Sequence, residues 1–230
     1  MIKRHYNKTN EWIERNRFVL LLLATVMVLV LPAFSGRGSF SEIIYLLSLS
    51  FLFVQSMVAA DVSSSKKSKL RVIVISMIVL SWMDPAEFDS IHIKIATLAF
   101  CTAFFIFVIS FLLRFIANSA TINRNVLITS INIYLLVGII GANLSLAFYL
   151  MYTDAYNFPA YIEHPVLVDF LYYSFITMST VGYGDITPRI PETQTLAYFI
   201  SITGQLYVAI IIAFLIGKLL MQGEHKKRDS

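Results

Sequence analysis

Charged residues are scarce in this chain of 230 residues. Asp, Glu, Lys and Arg together make up only 14% of it, whereas apolar side chains make up 57%. A typical soluble domain has about 25% charged and roughly 45–50% apolar residues. These figures exclude an ordinary soluble domain and a disordered chain, and they argue against a protein that binds nucleic acid through a polar, basic face. The composition is that of a membrane protein.

Cysteine is almost absent, since Cys101 is the single example. One cysteine excludes an intrachain disulfide and any metal site built from several cysteines. The four histidines are far apart in the sequence and show no metal-ligand spacing. Because no nucleophile–base pair, phosphate-binding loop or redox motif occurs either, we expect neither an enzyme nor a bound cofactor.

Long apolar runs make up most of the chain. A helix needs about 20 mostly apolar residues to cross a bilayer. Six runs predict spans: Phe18–Phe34, Phe40–Ala60, Leu70–Met83, Ile91–Ala117, Val126–Tyr152 and Thr193–Met221. The third run is the shortest and needs flanking residues such as Arg71, whose apolar stem can lie in the membrane with its charge at the surface. A shorter apolar run, Val166–Met178, predicts a helix between the fifth and sixth spans.

The distribution of charge predicts that both chain ends lie in the cytoplasm. Cationic residues collect on cytoplasmic loops, and an inside N-terminus puts 15 of the 18 Lys and Arg residues on that side. Arg37, Lys94 and Arg189 fall outside, together with six acidic residues: Asp84, Glu87, Asp89, Asp154, Glu163 and Asp185. The net charge of +4 thus reflects the topology of a multi-pass plasma-membrane protein, and no nucleic-acid partner is expected.

The first apolar run has an alternative interpretation. Met1–Ser35 combines a basic start, an apolar stretch and small residues, as a cleaved signal peptide does. Its apolar run of 17 residues is longer than the usual apolar region of about 7–15 residues. We therefore expect a membrane span there.

The segment after the short apolar helix reads Thr180-Val181-Gly182-Tyr183-Gly184-Asp185. This motif resembles the selectivity filter of potassium channels. A span, an outside loop, a short helix, the motif and a further span are also the pore-loop arrangement of that family. The resemblance covers roughly Val126–Met221, and these flanking spans argue against the alternative of a chance glycine turn.

The physics of the filter gives each of its residues a role. A dehydrated potassium ion needs a shell of oxygen ligands, which backbone carbonyls supply. Alternating left-handed and right-handed backbone turns successive carbonyls inward, and Gly182 and Gly184 accept the left-handed form without a Cβ clash. The resemblance implies that the carbonyls of Thr180, Val181, Gly182 and Tyr183 bind K+ as the permeant ion. The Thr180 hydroxyl adds a further oxygen.

The resemblance also implies residues that support the filter. Gly184 and Asp185 complete the motif, and Tyr172 and Tyr173 correspond to an aromatic pair that surrounds the filter in relatives. Ile176 stands where some relatives have a buried acid, so a carboxyl-to-carboxyl link with Asp185 cannot form. In the short helix that carries these tyrosines, Asp169 lies near the N-terminus, where a carboxylate complements the helix dipole.

One chain supplies one filter strand, whereas the ring needs four, which predicts a homotetramer in the lipid bilayer. In the last span Gly204 matches the hinge glycine of relatives. Helical spacing places Gln205, Val208, Ile212 and Ile216 on one face, which we expect to line the pore. The alternative is that this face packs against the fifth span. Rings of Ile212 and Ile216 would form a hydrophobic constriction, and we predict closure there.

The first four spans resemble a voltage-sensor domain in number only. The fourth span carries no charge between Lys94 and Arg114. An electric field therefore has little charge to move, and we expect weak voltage dependence.

The sequence predicts an all-α membrane protein with six transmembrane helices, a pore helix and a re-entrant filter loop. Its predicted parts are a cytoplasmic segment 1–17, a four-helix module 18–125, a pore domain 126–221 and a cytoplasmic tail 222–230. We expect a passive potassium-selective channel. A weakly selective cation channel and a non-conducting regulatory subunit with the same pore-loop fold are the alternatives.

Overall fold

The computed structural model describes residues 2–34, 39–60, 64–83 and 91–228. Within these ranges it contains seven helices: α1 (Ile2–Phe34), α2 (Ser39–Ala59), α3 (Ser64–Trp82), α4 (Ile91–Asn118), α5 (Arg124–Met151), α6 (Leu167–Met178) and α7 (Pro191–Arg228). Two short strands, β1 (Tyr156–Asn157) and β2 (Thr187–Pro188), pair in antiparallel fashion on either side of α6. The predicted helical architecture is confirmed, and the strands are an addition to it.

Five of the described helices are long and apolar enough to cross a membrane. These are Trp12–Phe34 in α1, Phe40–Ala59 in α2, Ile91–Asn118 in α4, Arg124–Met151 in α5 and Pro191–Met221 in α7. The third predicted span forms as helix α3, but Lys66, Lys67, Lys69 and Arg71 occupy its first turns. Its apolar part is therefore short, and six spans stay a prediction. Residues 35–38, 61–63 and 84–90, which include Arg37, Asp84, Glu87 and Asp89, lie outside the described residues.

Both ends of the described chain are helical beyond the predicted spans. α1 begins at Ile2, so the predicted N-terminal segment continues into the first span without a break. No glycine or proline interrupts the chain between Ile2 and Leu31, which explains this continuity. α7 likewise runs past Met221 to Arg228.

Helix α5 joins the first helices to the pore loop. α1, α4, α6 and α7 all pack on it. The fully buried Asn132 of α5 donates its side-chain amide to the carbonyl of Phe18 in α1 at 2.9 Å. This bond between two spans fixes how the first helix sits against the segment that carries the filter motif.

The connection between α4 and α5 is short. Only Ser119–Asn123 separate the two helices. The Asn123 side chain caps α5 by accepting a hydrogen bond from the Val126 N–H at 3.1 Å. The two helices pack closely on each other, and α1 also packs on α5 of the same chain.

Candidate pore loop and inner helix

Helix α6 approaches α5 closely at two glycines. A Cβ atom on Gly138 would lie 2.4 Å from Cζ of Phe175, and one on Gly141 would lie 2.3 Å from Oγ of Ser174. A larger residue at either position would force the facing side chain to move. The buried Ser174 uses this proximity to donate its hydroxyl to the Gly138 carbonyl at 2.7 Å.

The two ends of α6 differ electrostatically. At its start, the Asp169 carboxylate accepts a hydrogen bond from the Val166 N–H at 2.9 Å, which puts negative charge at the positive end of the helix dipole. At its other end the helix finishes at Met178, directly before the filter motif. The partially negative C-terminal end of α6 therefore faces the start of the motif.

The motif has left-handed backbone at every second residue. The φ angles are 60° at Thr180, 52° at Gly182 and 78° at Gly184. The prediction of left-handed backbone at the two glycines is confirmed, and Thr180 extends the pattern. A positive φ in a β-branched residue is uncommon and costs about 1–3 kcal/mol, so surrounding contacts must hold it.

Those contacts are backbone hydrogen bonds to the end of α6. The Thr180 N–H donates to the Thr177 carbonyl at 3.0 Å. The N–H groups of Val181 and Gly182 both donate to the Ile176 carbonyl, at 3.0 and 3.1 Å. The start of the motif is thereby tethered to the last turn of the helix, which gives the strained Thr180 conformation its support.

The carbonyl oxygens of the motif are unpaired. Within the described ranges, no residue donates a hydrogen bond to the carbonyls of Thr180, Val181, Gly182 or Tyr183. All four residues are exposed in the single chain. No cluster of His, Cys, Asp or Glu able to hold a metal ion occurs in the described part of the chain. These oxygens are the candidate cation ligands of the site.

A side-chain hydrogen bond closes the far end of the motif. The Tyr172 hydroxyl donates to Oδ2 of Asp185 at 2.6 Å. This bond, with smaller effects of burial and nearby charge, raises the pKa of Tyr172 to about 12, so the phenol is the proton donor at neutral pH. The bond supplies the link between α6 and Asp185 that Ile176 cannot form. Sequence reasoning did not find it.

The structure separates the two tyrosines that the resemblance pairs. Tyr173 is buried, and its ring meets the Tyr156 ring edge-on at a centroid distance of 5.3 Å. Tyr156 also contacts Phe170 and Phe158, so these rings form an aromatic cluster behind α6. In the single chain Tyr173 packs into this cluster, and the expectation that it surrounds the filter with Tyr172 stays a prediction.

The strand pair ties together the segments before and after the pore helix. Tyr156 pairs with Pro188 and Asn157 with Thr187. The Ala155 carbonyl accepts hydrogen bonds from the Arg189 N–H and the Thr193 hydroxyl, both at 2.9 Å. Strands of two residues are too short to show an alternation pattern, so no sequence pattern indicates them.

In the inner helix α7, Gly204 lies against the end of α6. A Cβ atom there would be 2.3 Å from the carbonyl oxygen of Met178 and 2.4 Å from its Cγ. α7 runs through Gly204 as one helix, so the glycine serves close packing in this structure, and its hinge role stays a prediction. The next residue, Gln205, points its Nε2 at Oγ1 of Thr180, 3.4 Å away.

Further along α7, the side packed on α5 is not the predicted pore face. Tyr207, Ile211 and Leu215 are partly buried against the core, and the Tyr207 hydroxyl donates to the Ser130 carbonyl of α5 at 2.7 Å. The predicted pore residues are exposed instead, at 39% for Val208, 51% for Ile212 and 53% for Ile216. In the single chain this face is not packed against the fifth span, and its role in lining a pore stays a prediction.

Near its inner end, α7 holds the end of α4. The Lys218 ammonium donates to the carbonyls of Ile116 and Ala117, each at 3.3 Å, and to the carbonyl of Ser119. It also lies over the Phe214 ring, 4.8 Å from the centroid. A cation is favourable at a helix C-terminus, where free carbonyls carry partial negative charge. Sequence reasoning missed this contact because its acceptors are backbone atoms about a hundred residues away.

Known proteins resemble the segment that contains α6, the filter motif and α7. Residues 136–221 match the family model described as "Ion channel". Two-pore potassium channel 2 of Arabidopsis thaliana is 33% identical over 82 residues, covering 36% of this chain and 18% of the relative. Two-pore potassium channel 3 of the same plant is 36% identical over 67 residues, covering 29% of this chain and 15% of the relative. Potassium channel K1 of Plasmodium berghei (strain Anka) is 56% identical over 36 residues, covering 16% of this chain and 2% of the relative.

The chain spans less than a fifth of the length of each of these three relatives. No solved structure matches it. The matched segment 136–221 contains α6, the filter motif and most of α5 and α7. The resemblance of this segment to potassium channels is therefore confirmed, and residues 136–221 form a segment similar to an ion-channel domain. The helices that are long enough to cross a membrane support a multi-pass membrane protein.

Proposed function

We propose that this chain is one subunit of a homotetrameric, potassium-selective channel that lets K+ pass down its gradient across the plasma membrane. The observation that carries the proposal is the row of exposed carbonyls from Thr180 to Tyr183. These carbonyls lack a hydrogen-bond donor within the described chain, and their backbone is left-handed at Thr180 and Gly182. Such oxygens replace the water around a dehydrated K+ ion.

Four copies are needed because one chain supplies one strand of the ring. The exposure of α7 supports this assembly. Only 11% of its most apolar stretch is buried, compared with 44% for α5. A closed fourfold ring brings four α7 helices around the axis and covers part of this apolar surface. The same arrangement turns Ile212 and Ile216 toward a shared path.

In the proposed mechanism, the filter motif Thr180–Asp185 discriminates K+ from other ions. The hydrogen bonds from the Val181 and Gly182 N–H groups to Ile176 hold the inner end of the filter. The Tyr172–Asp185 bond holds its outer end. The C-terminal end of α6 adds partial negative charge near the filter, which favours cations.

Gating is a separate event at the inner end of α7. Ile212 and Ile216 are one helical turn apart, and fourfold symmetry repeats each side chain into a ring. Such rings stop ions by dewetting without filling the path. Because α4 carries no charge between Lys94 and Arg114, voltage has a weak influence on this gate. Both chain ends lie in the cytoplasm, as the distribution of Lys and Arg supports.

Reconstitution of the purified full chain into liposomes tests the proposal. We expect K+ flux down its gradient with strong discrimination against Na+. Gly182→Ala should abolish this selectivity, because alanine resists the φ of 52° there. Gly217→Ala is the matched control, since its Cβ meets no atom within 4 Å.

Two results would reject the proposal in different ways. Equal K+ and Na+ flux would indicate a weakly selective cation channel. Absence of flux at every lipid composition, pH and voltage, from a protein that remains tetrameric, would indicate a non-conducting subunit that keeps the pore-loop fold.

A further inference from the structure

A cavity of about 650 Å³ lies between helices α3 and α4 and the segment where α5 ends and α6 begins. Its walls are the end of α3, the first turns of α4, the last turns of α5 and the start of α6. Most of the lining is apolar and includes Leu80, Leu98, Leu146 and Leu167. The volume is within the range of about 300–1,000 Å³ that ligand sites occupy. The filter and the inner gate make no use of this space.

Three polar residues also line the cavity: Ser81, Thr97 and Lys94. The two hydroxyl groups donate within their own helices, from Ser81 to the Met77 carbonyl at 2.8 Å and from Thr97 to the Ile93 carbonyl at 2.9 Å. Lys94 is half-buried and is the one charged residue among the described residues that line the cavity. Among the described residues, no carboxylate forms an ion pair with it.

This combination specifies the chemistry of an occupant. A lysine ammonium has three donors and no acceptor, so the group beside Lys94 must be an acceptor and is favoured if it is anionic. The leucines favour an apolar chain, because burial of apolar surface is stabilising. The cavity lies where α5 ends and α6 begins, at the end of a membrane-spanning helix. A lysine there reaches the membrane surface with its charge while its stem stays in apolar surroundings.

We propose that this cavity binds an anionic phospholipid, with its phosphate at Lys94 and an acyl chain along the leucines of α3, α4, α5 and α6. Phospholipids are the abundant amphiphiles beside membrane-spanning helices, which is why we assign one here. Val166 and Leu167 at the start of the pore helix line the same cavity. A bound lipid therefore contacts the helix that supports the filter. This consequence rests on the proposed function, whereas lipid binding does not.

Photolabelling of the full chain tests the binding directly. The protein is placed in phosphatidylcholine liposomes that contain a trace of phosphatidylglycerol with a photoreactive group in its acyl chain. Labelled residues are then located by peptide mass spectrometry. We expect labels on cavity residues such as Leu98 and Leu146, about fivefold more than with photoreactive phosphatidylcholine, as one lysine–anion contact allows.

Variants separate the contribution of the charge from that of the cavity. Lys94→Gln should reduce labelling to the phosphatidylcholine level, and Lys94→Arg should retain it. Arg114→Gln, the same charge change at the other end of α4, should leave cavity labelling unchanged. Leu146→Trp should fill the space and remove labelling by both lipids from a protein that remains folded in the membrane.

Four outcomes would overturn the proposal. Equal labelling by the two phospholipids, or no effect of Lys94→Gln, would mean that no anionic headgroup is recognised. Stronger labelling by a photoreactive fatty acid would assign the site to a free carboxylate. Crosslinks from this cavity to a second copy of the chain, in place of lipid labels, would show that the neighbouring subunit fills it. None of these readouts depends on ion flux.

Discussion

Tyr172 and Asp185 are joined by a hydrogen bond of 2.6 Å from the phenol hydroxyl to Oδ2 of the carboxylate. One residue belongs to the pore helix and the other ends the filter motif. At the opposite end of the motif, Val181 and Gly182 are bonded to the Ile176 carbonyl of the same helix. The filter segment is thus attached to α6 near its start and at its end.

Removal of the Tyr172 hydroxyl should loosen the outer attachment. For Tyr172→Phe we expect a loss of about 1 kcal/mol from this bond and a faster decay of K+ current during sustained opening. Recordings from planar bilayers measure the decay. Tyr173→Phe is the control, because the Tyr173 ring is buried beside Tyr156 and it is Tyr172 that bonds to Asp185. A current from Tyr172→Phe as stable as that of the parent would contradict this role.

The same bond predicts a dependence on alkaline pH. Because the bond to Asp185 raises the pKa of Tyr172 from about 10 to about 12, the stabilisation is complete below about pH 10 and is lost as the pH rises through about 12. The difference in thermal stability between the parent and Tyr172→Phe should stay constant from neutral pH to about pH 10 and shrink above it. Calorimetry at several pH values measures this difference in thermal stability. A difference that vanishes near neutral pH would contradict the role of the Tyr172–Asp185 bond.

A methyl group at Gly204 should disturb the filter from the inner helix. In Gly204→Ala the new Cβ meets the Met178 carbonyl oxygen at 2.3 Å, and backbone cannot move aside as a flexible side chain can. We expect a cost of about 1–3 kcal/mol and loss of most K+ flux in liposomes. Gly217→Ala should be neutral or stabilising, since the site is open and alanine favours helix. Equal flux from both variants would show that Gly204 does not position the filter.

Lys218 should couple the inner end of α7 to the end of α4. Lys218→Met keeps an apolar stem beside Phe214 but removes the donor to Ile116 and Ala117, at a cost of about 0.3–1 kcal/mol. We expect faster hydrogen exchange at the end of α4 and a changed open probability, with ion selectivity unaltered. Lys218→Arg should preserve both properties. Hydrogen exchange that is unchanged in Lys218→Met would refute the coupling.

Polar residues at the predicted gate should favour the conducting state. Ile212→Asn or Ile216→Asn would wet the constriction, so single-channel recordings should show a higher open probability with K+ preference retained. Ile210→Asn is the control, because Ile210 is 65% exposed but lies on another face of α7. The gate assignment fails if both gate variants conduct like the parent, or if selectivity changes instead.

The spans and the motif could be predicted because their signals are local. The run Ile91–Ala117 became α4 within one residue of its predicted end, since continuous apolarity is a property of the segment itself. The left-handed glycines followed from the absence of a Cβ. Thr180 has a Cβ and does not favour left-handed backbone. Its conformation is held by the bond from its N–H to the Thr177 carbonyl and by the bonds from Val181 and Gly182 to the Ile176 carbonyl.

Contacts between distant segments could not be read in the same way. The ring of Tyr173 has the same chemistry whether it faces the filter or the Tyr156 cluster, and only the fold decides between them. The acceptors of Lys218 are main-chain carbonyls, which every residue possesses, so no sequence pattern marks them. The spacing of Gly138 and Gly141 was the one available sign of the close approach of α6 to α5.

The connection Ser119–Asn123 has a consequence for how four chains come together. Five residues reach roughly 20 Å at full extension, which is less than the width of two helices side by side. Each set of outer helices is therefore confined to its own pore segment and cannot be exchanged with a neighbour. In the proposed tetramer, each chain therefore keeps α1–α4 beside its own α5. Damage to α1–α4 then impairs only the subunit that carries it. Mixed tetramers should therefore lose K+ flux in proportion to the number of damaged chains.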